Sequence, residues 1–528
     1  MSYILNKIKN HKLIVFFIVV GTLLRSTFAL GMAGYSKYVF DGIGQKSIAV
    51  GSTLVIGLLV TLWGAAGLLI KGIAIDSLVS RVSYEMRSDF VGSVIGCSVS
   101  KLKELGEGRV LTNYTQDIGA VAGLVRSGLD LITIPFEMVI ALGYLYYHNW
   151  KMATVIVIIF PVIMVSGQVI GKQIQKISST YLMHDDKAMK LVTRIMKGIE
   201  VIKVHDYQKD IAAEFDSLIK KQLSLDLSRA KYNGAFTGIT DFFMGLPFIL
   251  VYVTTALFTV GSNITAGTLT LFLQLLNKIT VPFVAYSRIV MQFKQAKVSM
   301  DRLAEITSGE AETRVTVKGF GRVVLEDVSF GYPGGDMLLN NCSISLEKGK
   351  YYGVIGGNGS GKSTICRLIM QLYQPVSGTV VYEQDAQNSN KIVYIEDKPI
   401  ILYDDITRNI VGSCRYDKDK LDRLLEETEL KTPAADNIEG KTAEELSTGL
   451  LQRMVIARAL YQIGDKDILI IDEGFSALDI DMRPKMYRLV KKYQQKYDLT
   501  VLDITHNFDE REEFDEVIMV EGGRVSLK

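Results

Sequence analysis

The chain has 528 residues, too many for one compact unit when domains run to ~100–200 residues, so two or three units are expected. A net charge of +2 conceals a division: residues 1–300 hold 30 Lys and Arg against 18 Asp and Glu (+12), which leaves −10 for residues 301–528. An apolar, basic front joined to an acidic back excludes a single soluble domain, a collagen, a disordered tail and a disulfide scaffold, and predicts a membrane domain followed by a water-soluble one.

Six stretches approach the ~20 apolar residues that a membrane helix needs, because in lipid the backbone must close its hydrogen bonds internally. Residues 13–35 are apolar apart from Arg25, and 48–70 carry no charge. Residues 131–147 contain Glu137, and 152–171 are again uncharged. Residues 242–260 and 269–291 complete the set, the last interrupted by Lys278 and Arg288. A buried core helix would explain one such stretch but not six. Charges inside a span are costly, so Arg25, Glu137 and Lys278 mark a polar translocation cavity, an internal ion pair, or snorkelling toward headgroups.

Lys7, Lys9 and Lys12 precede the first span. The connections 71–128 and 172–235 are long and rich in charge, whereas 148–151 and 261–268 are short. Excess Lys and Arg stay on the cytoplasmic side, so both chain ends are expected inside. The long connections lack proline and read as helical; arms of ~30 residues would reach roughly 45 Å past the membrane. The start shows no cleavable signal pattern. Cys97, Cys342, Cys366 and Cys414 have no paired metal spacing and are expected to be reduced thiols.

Beyond about residue 309 the pattern changes to short strands, glycine turns and helices. Residues 351–355 read as a buried strand. Gly356-Gly357-Asn358-Gly359-Ser360-Gly361-Lys362-Ser363 follows, with Thr364 opening an apolar helix. This is the G-x-x-x-x-G-K-[ST] phosphate loop in its strand–loop–helix setting. Glycines let successive N–H groups face the phosphates, the helix N-terminus adds partial positive charge, Lys362 reaches the β- and γ-phosphates of ATP, and Ser363 can ligate Mg²⁺. About 110 residues later a second apolar strand, 468–471, ends in Asp472 and Glu473. Asp472 is expected to hold Mg²⁺, with Glu473 polarising the attacking water.

With these residues in place the chain resembles the ATP-binding cassette (ABC) transporters, specifically half-transporters of the exporter fold. Leu446-Ser447-Thr448-Gly449-Leu450-Leu451-Gln452-Arg453 followed by Ile456-Ala457-Arg458-Ala459-Leu460 resembles the family signature. Ser476-Ala477-Leu478-Asp479 resembles the D-loop, His506 the switch histidine, and Tyr332 the aromatic that stacks on adenine. Residues 108–117 resemble the first intracellular coupling region, and 198–203 the stretch near the second. The resemblance implies an all-α six-helix transmembrane domain over residues 1–308 and an α/β P-loop cassette with a helical subdomain over 309–528. It also implies a dimer in which Ser447 and Gly449 close over ATP held by a partner. The N-terminus and cassette would be cytoplasmic, in a bacterial cell membrane.

Two departures matter. The signature has Thr448 for a Gly and Leu450 for a Gln, and an ungapped reading places Asp397, beside Glu396, where the family has the Q-loop glutamine. An acid there could approach Mg²⁺ but cannot donate as an amide does. An intact hydrolytic set (Lys362, Asp472, Glu473, His506) beside an altered signature resembles one half of an asymmetric heterodimer. ATP-driven export is the leading expectation. A siderophore-type importer on the same fold and a weakly hydrolysing regulatory or immunity subunit are the alternatives. The residues do not distinguish peptide, lipid or drug as substrate. Nucleic acid is not an expected partner, since an acidic soluble half repels phosphate backbones.

Overall fold

Apolar residues on every face make a helix that only lipid can surround. Along Val50–Gly96, Leu54, Val55, Leu58, Leu59, Leu62 and Trp63 are all exposed, which water would not tolerate but hydrocarbon does. The computed structural model describes residues 2–158, 180, 187–259, 265–307, 322–332, 334–383, 392–431, 442–464, 466–505 and 513–528. Among them, Lys12–Gly44, Val50–Gly96 and Glu107–His148 are long and apolar enough to cross a membrane. The expected span 152–171 is described only through the helix Trp150–Ile158; the rest lies outside the described residues. The expected span 242–260 falls within the helix Gln208–Thr259 except for residue 260, which lies outside the described residues, and 269–291 falls within Ala266–Thr307. At 1.5 Å per residue, the 47 residues of Val50–Gly96 run ~70 Å, well beyond a ~30 Å hydrocarbon core.

The chain divides into two units, Met1–Ile95 with Gly108–Ser308, and Gly96–Glu107 with Gly309–Lys528. In the first unit, small residues let helices approach closely. A Cβ on Gly21 would lie 2.6 Å from the Lys71 backbone N, and one on Gly64 would strike the Phe28 ring at 2.4 Å. Leu271, Phe272, Leu275 and Ile279 of Ala266–Thr307 form a core with Ala141, Leu145, Met152 and Val251. At the head of Ala266–Thr307, Asp41 Oδ1 accepts from the Gly267 N–H at 3.0 Å, satisfying one of the helix's orphan donors.

The charged residues expected within the spans converge. Glu137 accepts from Lys278 at 2.9 Å and from Lys71 at 3.2 Å, and Arg25 lies 3.9 Å away. Four helices thus meet on one carboxylate, and the internal ion pair is the arrangement found.

The second unit begins with an excursion. Gly96–Glu107 groups with the cassette residues: Ser98 caps the short helix Val99–Leu105, Val99 packs against the cassette core, and Lys103 lies over the Tyr373 ring. The resemblance placed the first coupling region at 108–117, but those residues belong to the first unit. The segment seated in the cassette directly precedes them and ends at Glu107, just past Gly106, whose φ of +78° turns the chain out of the helix.

Among the described residues the cassette holds two sheets. β2 (Met337–Glu347), β1 (Arg322–Gly331) and β4 (Ser377–Glu383) form an antiparallel sheet in that order. The second sheet runs β5 (Ile392–Ile395), β6 (Ile468–Asp472), β7 (Thr500–Ile504), β3 (Tyr351–Gly356), β8 (Glu516–Glu521), β9 (Arg524–Leu527). Its first five strands are parallel, and β9 returns antiparallel. Every residue of β3, β6 and β7 is buried, as continuous apolar runs in a covered parallel sheet should be.

Candidate ATP site

Register brings the chemistry together. Ile504 pairs with both Val354 of β3 and Asp472 of β6, so the phosphate loop and the acidic strand end emerge side by side at the carboxyl edge of the sheet. That edge is where open parallel α/β sheets bind ligands.

The loop is shaped by its glycines. Gly361 has φ +108°, a conformation open to glycine alone, and starts the helix Lys362–Ile369. A Cβ on Gly356 would lie 2.3 Å from the Val520 carbonyl. Gly357, Asn358 and Gly359 are exposed. The Lys362 ammonium folds back on the loop, donating to the carbonyls of Gly356 at 2.9 Å and Gly357 at 3.0 Å. Its pKa is lowered by burial, against the opposing pull of the Glu473 and Asp472 carboxylates, so these three charges share one site. The Ser360 Oγ is buried without a hydrogen-bond partner among the described residues.

Ser363 Oγ donates to Asp472 Oδ1 at 2.9 Å, and Tyr394 Oη donates to Asp472 Oδ2 at 3.3 Å. Burial raises the Asp472 pKa despite those bonds and the nearby Arg367 guanidinium. A buried carboxylate pushed toward its acid form, beside a hydroxyl, is an oxygen-only pair that suits a hard cation completed by phosphate oxygens and water. Residues present therefore fit Mg²⁺ with ATP: Ser363 and Asp472 for the ion, the 356–364 backbone and Lys362 for the phosphates. Glu473 follows with φ +54°, a strained conformation for a non-glycine residue.

Other expected residues stand as follows. The Tyr332 hydroxyl bonds Thr364 Oγ1 at 3.0 Å and accepts from Arg367 at 3.1 Å, while its ring meets Tyr373 edge-on. Asp397 is exposed and its carboxylate accepts from the Lys398 N–H; the buried acid is Glu396, paired with Arg458 at 3.2 Å. Ser447 stands at the N-terminus of the signature helix Thr448–Gln462, exposed, its hydroxyl making no capping bond. Gly449 faces the Ala477 carbonyl, 3.7 Å from where a Cβ would sit. Asp479 caps the helix Met482–Tyr497 through a 2.8 Å bond from the Met482 N–H. His506 lies outside the described residues.

Tyr394 and Arg367 escaped the sequence reading. Arg367 lies four residues beyond Ser363, on the same helix face, which spacing could have revealed. Tyr394 becomes visible only once β5 is known to pair with β6.

Comparison with known proteins agrees with this architecture. Residues 13–283 match the family "ABC transporter transmembrane region" and residues 339–476 the family "ABC transporter". An ATP-dependent lipid A-core flippase of Shigella sonnei is 25% identical over 514 residues, covering 92% of this chain and 86% of that protein. Its Escherichia coli K12 counterpart is 24% identical over the same coverage. The solved structure of a bacterial Atm1-family ABC exporter with ATP bound superposes with a TM-score of 0.78 at 16% identity, covering 98% of this chain and 94% of that one. With a fused helical membrane region and an ATP-binding cassette, the chain belongs to the ABC transporters, as an ATP-driven half-transporter of the exporter type.

Proposed function

We propose that this chain is the hydrolytically competent half of an asymmetric dimer that exports an amphiphile from a bacterial cytoplasmic membrane, with N-terminus and cassette inside. The observation that carries the reading is the grouping of Lys362, Ser363, Asp472 and Glu473 at one sheet edge, beside a signature helix in which Leu450 turns inward against the cassette core. An inward leucine offers no amide to a nucleotide. Ile480, the residue after Asp479, is 89% exposed, an apolar side chain suited to a partner cassette.

In this reading Lys362 and the loop N–H groups orient the phosphates. Ser363 and Asp472 would hold Mg²⁺, which when bound supplies positive charge against the phosphates. Glu473 takes the proton of the attacking water, and His506 senses the γ-phosphate. A partner supplies Ser and Gly donors over this ATP, and Ser447 and Gly449 face the partner's. The named relatives act on lipid A-core, which makes a lipid-linked substrate the first to test.

The partner decides the test. Purified alone, the chain should show little ATPase, rising when a co-purified second half-transporter is added. Full, cooperative, substrate-stimulated ATPase by the chain as a homodimer would contradict the asymmetric reading.

A further inference from the structure

Gln452 lies in the signature helix, two residues beyond Leu450, with its side chain wholly buried. Its Nε2 donates to the Gly474 carbonyl at 2.6 Å and reaches the Glu396 carbonyl at 3.4 Å. Both neighbours are acceptors, so the NH₂ end must face them. Its Oε1 is buried with no hydrogen-bond partner among the described residues. A residue kept for stability alone would not leave an acceptor unmet, since an apolar side chain of similar size avoids that penalty.

Gly474 directly follows Glu473, whose left-handed backbone needs support from its surroundings. The Glu473 N–H donates to the Ile504 carbonyl at 3.1 Å, and the Glu473 carbonyl accepts from the Ser476 N–H at 3.0 Å. Gln452 takes the next carbonyl along. Gly474 is also tightly enclosed: a Cβ would lie 2.6 Å from Ile395 and 2.7 Å from Ile471 side-chain carbons. Farther along the signature helix, Arg458 pairs with the Glu396 carboxylate. The helix is therefore fastened both to the turn that carries Glu473 and to the segment that precedes Asp397.

We propose that Gln452 is a positioning residue for hydrolysis: its amide fixes the Gly474 carbonyl, and with it the turn that aims Glu473. A shift of the signature helix then reaches the same chain's hydrolytic site through one side chain. Because the N-terminus of that helix is read as facing the partner's nucleotide, Gln452 links the two ATP sites. The proposal rests on Glu473 being the group that activates water.

The test compares Gln452→Leu, Gln452→Glu and Glu473→Gln with the unmodified full-length chain, each with its dimer partner in lipid nanodiscs. Gln452→Leu should lower kcat for Mg-ATP by about 10-fold or more, the penalty for a misplaced catalytic group, while KM, ATP affinity and melting temperature stay close to the original. Gln452→Glu can donate only when protonated, so its activity relative to the original should be highest at low pH and fall as pH rises. Unchanged kcat in Gln452→Leu with Glu473→Gln inactive would overturn the positioning role and leave Glu473 standing. Loss of melting temperature or affinity together with kcat, without pH-dependent recovery in Gln452→Glu, would make Gln452 merely structural and also overturn it. An active Glu473→Gln would instead remove the reading beneath the proposal.

Discussion

Asp472 shows how a single residue trades stability for chemistry. Its carboxylate is buried, and burial raises its pKa above the ordinary Asp value. For an acid shifted upward, the folded state is favoured below the unfolded pKa, and that contribution is lost as pH rises through the folded pKa. Burial therefore makes the ionised form of Asp472 a cost to the folded cassette. Asp472→Asn should raise the melting temperature of the nucleotide-free chain by about 2–4 °C at pH 7, as expected for ~1 kcal/mol in a domain of this size. The gain should shrink on acidification, and Mg-ATP turnover should collapse. A thermal-shift series across pH checks this; a variant destabilised at pH 7 would contradict it.

At the scale of elements, the Glu137 cluster joins four membrane helices around one carboxylate and three cations. Removing the partner that all three share leaves positive charge uncompensated at low dielectric, a loss of ~3–5 kcal/mol for a buried pair. Glu137→Gln should lower thermostability in detergent, and adding Lys278→Gln should recover part of it. Additive losses in the double mutant would show that the two side chains are not coupled.

This cluster also shows what sequence can and cannot carry. Arg25, Glu137 and Lys278 were legible because each interrupts an apolar run. Lys71 was not, since it stands at the end of one and reads as a boundary charge. The phosphate loop was legible because four fixed positions recur in a strand–loop–helix setting. Tyr394 and the Glu396–Arg458 pair were not, because strand order and helix packing decide them, whereas Arg367, one helical turn beyond Ser363, was within reach of spacing alone. The excursion Gly96–Glu107 was missed in favour of the ten residues after it, for the same reason: Val99 is unremarkable until the cassette core it packs against exists.

For the whole molecule, the opposed charges of the two halves follow from the two solvents they meet. Positive charge gathers beside the spans, where it sets orientation. In the proposed site the acidic cassette would attract nucleotide through Lys362 and oriented N–H groups, a local field that outweighs net charge at contact distance. The central claim is that this half-transporter drives transport by hydrolysis at its own Glu473. The most direct measurement is Mg-ATP binding and phosphate release by the assembled dimer, with and without Glu473→Gln in this chain. Binding should be preserved and release at this site reduced by about 10²-fold or more, the scale of a lost general base. Phosphate release undiminished by Glu473→Gln would contradict it.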